Sequence, residues 1–160
     1  MDTTKLTLAE QATNYETLQH IERVRALLNL VVRELLYRGE DHDQSKLLPP
    51  EVALFTEFTP KLASCEYGSA EYQGYLEVLK PALAHHYAKN RHHPEHYAAG
   101  VSGMSLIDVV EMVCDWQAAG ERHPGGDLRK SIEINTERFD LSPQLKQILL
   151  NTADFLKGTE

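Results

Sequence analysis

"LQHIERVRALLNLVVRELLY", residues 18–37, decides the fold class. Within it Ile21, Val24, Leu28, Val31 and Leu35 recur at intervals of three and four, which lines them up along one face of an α-helix. A half-buried strand would alternate in twos. The spacing therefore predicts a long helix with a buried apolar face. Upstream, Thr7 and Glu10 stand at the spacing of a capping box, in which each side chain satisfies the other's backbone N–H. Downstream, Gly39 suits a helix C-terminus, where the left-handed conformation is often needed.

The same period recurs along the chain. Pro49 and Pro50 open "PPEVALFTEF", since proline is tolerated in a first turn. Residues 59–68 read as a loop, and 69–78 as a short helix. Pro81 restarts or kinks the next helix, "PALAHHYAKNRHH", and Pro94 ends it, because the residue before a proline is pushed out of helical geometry. "GVSGM" is a loop before "SLIDVVEMVCDWQAA", an amphipathic helix stopped by Gly120; "HPGGD" is another loop. Two further helices are expected at 127–139 and 143–157. With no alternating pattern, repeat or low-complexity linker, the expectation is an all-α fold: one compact domain over residues 1–160, of six to eight helices.

The chain has 160 residues, 42% apolar and 25% charged, enough to bury a core without disulfides. No stretch approaches the roughly 20 apolar residues of a membrane span, and the start "MDTTKLTLAE" lacks a signal peptide's basic and apolar regions. Cys65 and Cys114 are isolated thiols, which fits a reducing, cytoplasmic setting. A formal net charge of −8 disfavours broad binding to long nucleic acid. A small anion remains accessible where local cations or metal ions reverse the potential.

Five of the eight histidines fall within residues 85–96, and "RGEDHDQSKLLPPE" (38–51) sets His42 and Asp43 side by side with Lys46 three positions on. Imidazole and carboxylate are the ligand pair that zinc, manganese, iron and similar divalent ions favour. An arbitrary His-Asp pair is more often a solvated loop or a helix cap, so the rest of the inventory matters. His20 sits inside the first helix beside its apolar face, where a hydrogen-bonded core histidine is the common outcome. Asp108, Glu111 and Asp115 form a carboxylate stripe at i, i+3 and i+7, next to an apolar face of Leu106, Val109, Val110, Val113 and Trp116. Such a stripe normally faces solvent, but Asp115, between Cys114 and Trp116, is expected to be half-buried. In "HHYAKNRHHPEHY", a helix running to residue 93 would pair His86 with His93 and His85 with His92. The core-like series Leu76, Leu79, Leu83, His86 favours His86 over His85 as the inward member. A surface histidine patch is the bland alternative. A closed zinc finger is not supported, because no cysteine belongs to the cluster.

In order, His20, His42-Asp43 and Asp115 resemble the H…HD…D pattern of the HD-domain metal-dependent phosphohydrolases, an all-α superfamily, and "HDQSK" resembles their HDxGK variant with Ser45 in place of glycine. "HHYAKNRHHPEHY", "DVVEMVCDW" and "GDLRKSIEINTERF" are similar to an uncharacterised group of phage and bacterial HD-like proteins, over about residues 15–155. The GYP element of cyclic-dinucleotide phosphodiesterases is absent. The resemblance implies one metal held by His20, His42, Asp43 and Asp115. It implies a second bridged by Asp43 and held by His86 with His92 or His93. The cofactor would be one or two divalent ions drawn from Mn, Zn, Fe, Co or Ni.

The function this implies is hydrolysis of a phosphate ester or anhydride of a nucleotide or related small molecule by a metal-activated water. Lys46 would bind a phosphate oxygen, and Glu111 or Asp108 would move a proton or orient water. Arg91, Arg122, Arg129, Lys130 and Arg138 are the cations from which a phosphate pocket could be drawn, although most long basic side chains coat a surface. Tyr87 and Trp116 are candidates to stack on a base, with core packing favoured for Trp116. A diiron oxygenase, using the same histidine-rich set to activate oxygen, is the alternative enzyme. A non-catalytic nucleotide-binding module is the alternative outside enzymes. Helical HD-like enzymes often self-associate, which leaves the choice between monomer and homo-oligomer open, and a phage-encoded protein of this kind would act in its host's cytoplasm.

Overall fold

A computed structural model describes residues 6–65, 69–122 and 125–157. Among them the order is α1 (Leu8–Asp41), a 3₁₀ turn (Gln44–Leu47), α2 (Glu51–Ser64) and α3 (Ala70–Lys89). Two 3₁₀ turns (Pro94–His96, Gly100–Gly103), α4 (Leu106–Glu121), α5 (Leu128–Phe139) and α6 (Pro143–Lys157) follow. The fold is all-α, with no strand among the described residues. None of these helices is long and apolar enough to cross a membrane.

The chain divides into two compact units, residues 1–40 and 41–160. The first is α1. Its start is the capping box expected from Thr7 and Glu10: Thr7 N donates to Glu10 Oε2 at 2.6 Å and Glu10 N to Thr7 Oγ1 at 3.2 Å. The helix does not stop at Gly39 but continues through it to Asp41. The buried face expected along Ile21, Val24, Leu28, Val31 and Leu35 is not buried either, since no residue of α1 is. The unit is a single helix, so nothing within it can cover that stripe.

The second unit holds two packed regions. Phe58 of α2 and Leu79 and Ala82 of α3 are buried, and the Phe58 and Tyr75 rings lie 5.7 Å apart. Val113, Leu128, Ile132, Leu141, Leu149 and Ala153 form the second cluster, from α4, α5, α6 and the α5–α6 link. Trp116 packs against it and lies parallel to Phe139 at 6.4 Å. The inward face of α4 is thus Met112, Val113, Val109 and Trp116, whereas Leu106 and Val110 are exposed.

Other boundaries depart from the sequence expectation as well: α4 runs through Gly120 to Glu121. α2 runs through Pro60 to Ser64, where a loop from 59 was expected; residues 66–68 of that loop lie outside those described. α3 is one helix through Pro81, not two. It ends at Lys89 rather than 93: Asn90 leaves helical geometry and its N–H closes the last turn on the His86 carbonyl. Of the expected "HPGGD" loop, residues 123 and 124 lie outside those described.

Candidate metal centre

Three stretches of the second unit bring the chemistry together: the turn after α1, the end of α3 with the segment behind it, and the inner side of α4. Asp43 has φ 58°, left-handed backbone that few residues besides Gly, Asn and Asp adopt readily. It turns the chain sharply before the 3₁₀ turn, so His42 and Asp43 present their side chains to common neighbours. The early end of α3 does similar work. Asn90 is buried and donates through Nδ2 to Ser45 Oγ and to the His86 carbonyl, both at 2.8 Å. His92 and His93 then fold back on His86 instead of continuing along a helix.

Four imidazoles pack in one place. Ring centroids are 4.1 Å apart for His92–His93, 4.4 Å for His42–His92 and 4.8 Å for His86–His93. Their Nε2 atoms face one another and the carboxylates. His86 Nε2 lies 2.9 Å from His93 Nε2 and 3.3 Å from Asp43 Oδ1. His92 Nε2 is 3.6 Å from Asp43 Oδ1, and His42 Nε2 is 3.6 Å from both Asp43 Oδ2 and Asp115 Oδ1. Two overlapping groups result, Asp43–His86–His92–His93 and His42–His92–Asp115, each with its ligand-type atoms within 4.8 Å of one another. Asp43 Oδ1 and both ring nitrogens of His92 are buried without a well-aligned hydrogen-bond partner. Buried polar atoms are rarely left so; a cation beside Asp43 Oδ1 and His92 Nε2 would satisfy those two, while His92 Nδ1 lies on the Glu111 side of the ring. The donors, imidazole with carboxylate and no thiolate, fit a borderline first-row divalent ion.

Carboxylates hold the outer edges of the rings. Glu51, completely buried at the start of α2, lies 2.9 Å from His86 Nδ1 and 2.6 Å from His85 Nδ1. Glu111 Oε1 lies 2.9 Å from His42 Nδ1 and 2.9 Å from His92 Nδ1, the latter off the linear hydrogen-bond direction.

Without a metal, the electrostatics respond to this crowding. Asp115 first, then Glu111, push the His42 imidazole up to about 10. Burial, then the neighbouring His92 and His86, push His93 down to about 3, leaving it neutral. Burial would raise the Asp43 carboxyl, but His86 and Lys46 hold it well below its usual range. Asp115 is likewise opposed by burial and lowered, chiefly by His42. In Glu51, His85, Ser45 and His86 outweigh burial in the same direction.

Of the residues singled out from the sequence, His42, Asp43, His86, His92, His93 and Asp115 meet here, and Glu111 borders them. His20 lies on α1, in the first unit, and is exposed there. Asp108 is turned to a different task. Its Oδ2 accepts from Ser105 N at 2.8 Å and Ser105 Oγ at 2.7 Å, capping α4, and Arg91 Nε lies 3.2 Å from Oδ1. That use of the carboxylate removes the reason for expecting proton transfer there.

Lys46 Nζ lies 2.6 Å from Asp43 Oδ2 and is part-exposed. Arg138 pairs with Glu95 and Arg129 with Asp154. Arg122 is exposed at the end of α4, and Lys130 lines a surface pocket with Trp116 and Asn135. Sequence reading missed Glu51, Asn90 and Ser45. No periodicity marks them, because their partners lie 34 or more positions away, apart from the short Asn90–His86 step.

Neither the curated proteins nor the solved structures yield a match. A family model does match, over residues 9–155, nearly the whole chain and all of the histidine and carboxylate centre. The chain belongs to that family, a family of unknown function designated DUF5662.

Proposed function

We propose that the second unit is a divalent-metal centre serving a cytoplasmic phosphohydrolase that acts on a nucleotide or related small phosphate ester. The observation that carries the metal half is the convergence of four imidazoles and two carboxylates on buried atoms that lack well-aligned partners. The phosphoester half is supported by the HD-like resemblance and by Lys46 beside Asp43.

Asp43, His86, His92 and His93 would hold one divalent ion, and His42, His92 and Asp115 a second; when bound, such an ion would supply a water acidified toward neutral pH and a Lewis acid for a phosphate oxygen. The protein's own residues do the rest. Glu51 and Glu111 hold rings in place. Burial of His93 keeps its nitrogen unprotonated and ready to donate an electron pair. Lys46, part-exposed and tied to Asp43 by one ion pair, can turn toward an incoming phosphate as a point charge. Because the chain carries a net charge of −8, such a local cation adds to any bound metal in making the potential there favourable to an anion.

The test is turnover of a panel of nucleotides and generic phosphate esters by metal-free protein reloaded with manganese, cobalt, zinc or iron. Lys46→Ala would be run beside the wild type. Hydrolysis under nitrogen, with KM raised about tenfold or more in Lys46→Ala, supports the reading; that corresponds to loss of about 1.4 kcal/mol of binding. Activity only with iron and only with oxygen would replace it with an oxygenase. No turnover with any loaded metal would leave a binding module.

A further inference from the structure

Glu111 stands at a junction. The two ligand groups share His92, and His42 belongs to the second of them. One oxygen of Glu111, Oε1, lies 2.9 Å from the Nδ1 atoms of both these histidines. The side chain is nine-tenths buried on α4, one turn before Asp115. His42 makes a hydrogen bond there, and His92 makes the same approach off the linear direction. In the neutral ring that binds a cation, a carboxylate holding the Nδ1 proton leaves Nε2 as the unprotonated nitrogen. For both rings that other nitrogen, Nε2, faces Asp43, and for His42 also Asp115. Glu51 does the same for His86 alone among the grouped ligands; its second partner, His85, belongs to neither group.

We propose that Glu111 is a positioning residue shared by both metal positions, one oxygen anchoring His42 and His92 so that each turns Nε2 inward. This replaces the proton-transfer role expected from its place in the carboxylate stripe. It rests on the metal reading above and adds a specific consequence. Loss of Glu111 weakens both positions together, whereas loss of Glu51 weakens only the one that contains His86.

The experiment is titration of Co²⁺ into metal-free protein, followed by its visible absorption, for wild type, Glu111→Ala, Glu111→Gln and Glu51→Gln. In parallel, the downfield imidazole N–H resonances of the metal-free proteins are recorded, with circular dichroism to verify folding. Glu111→Ala is expected to weaken every bound Co²⁺ by roughly 10- to 100-fold, the usual range for losing a ligand-orienting carboxylate. Glu111→Gln, whose carbonyl oxygen still accepts from Nδ1–H, is expected to recover part of that loss. Glu51→Gln is expected to leave the spectrum of the His42–Asp115 ion unchanged. The protected Nδ1–H signals of His42 and His92 should vanish together in Glu111→Ala and persist in Glu51→Gln.

A folded Glu111→Ala with wild-type affinity and spectrum, or one in which only one of the two N–H signals is lost, overturns the proposal. Absence of Co²⁺ binding by the wild type sinks the metal reading instead, and the imidazole signals still decide the anchoring.

Discussion

Asp43 shows at the scale of one residue how backbone and chemistry are joined. Its φ of 58° is tolerated because a short polar side chain suits the left-handed region, where other residues cost roughly 1–2 kcal/mol. Asp43→Asn keeps that tolerance and removes the charge, so it should retain its melting temperature within a few degrees and lose metal. Asp43→Val should lose metal and be destabilised by about 1–2 kcal/mol more, read by denaturant unfolding of the two variants side by side. His42 makes a second residue-scale prediction. Its pKa of about 10 lies above its ordinary 6.5. Its pairing with Asp115 and Glu111 therefore stabilises the metal-free fold fully below pH 6.5 and fades as pH rises through 10. A metal ion must displace that proton, so apparent affinity should rise with pH across 6.5–9, by about tenfold per unit if one proton is released. Calorimetry in buffers of different ionisation enthalpy measures the proton count, and a pH-independent affinity would refute the assignment.

Helices were legible in the sequence wherever local periodicity and local capping decide them. The Thr7–Glu10 box, the α4 amphipathic run and the last two helices follow from neighbours within a few positions. α2 and α3 passed through Pro60 and Pro81 because tertiary packing of Phe58, Leu79 and Ala82 outweighs a local breaker. His86 was recognised as inward from its spacing. Helical register pairs His86 with His93 and His85 with His92; the structure instead turns at Asn90 and brings both His92 and His93 to His86. Two glycines test the packing of these elements. A Cβ on Gly126 would sit 1.9 Å from the Gly120 carbonyl oxygen, a backbone atom that cannot step aside, whereas Gly74 in α3 has nothing within 4 Å. Gly126→Ala should destabilise by at least ~2 kcal/mol, in the range of overpacked sites. Gly74→Ala should be neutral to stabilising, by up to about 1 kcal/mol. Urea unfolding midpoints decide both, and a Gly126→Ala protein as stable as wild type would contradict the α4–α5 junction described here.

Across the whole molecule, the all-α class could be read from one sequence because it rests on period, whereas the ligand-type residues were singled out by residue type together with the HD-like resemblance. What could not be read is the web of long-range contacts that gives those residues their roles. Glu51 is a surface-like residue in sequence and the most buried carboxylate in the fold, and Asp108 looked like a site residue yet caps α4. The acidic chain gathers four of its eight histidines where three separate stretches meet, and Asp43 Oδ1 and the His92 ring nitrogens, buried without aligned partners, sit at that meeting point. Occupation of that point by metal is the central claim. The most direct measurement is elemental analysis of protein purified without chelator, wild type beside Asp43→Asn and His92→Ala. About one or two transition-metal ions per chain are expected in the wild type, matching the two overlapping ligand groups, with all metal lost in His92→Ala, whose ring both groups share, and the ion of the Asp43 group lost in Asp43→Asn. A wild type that holds no metal, even after addition of manganese, zinc or iron, would contradict it.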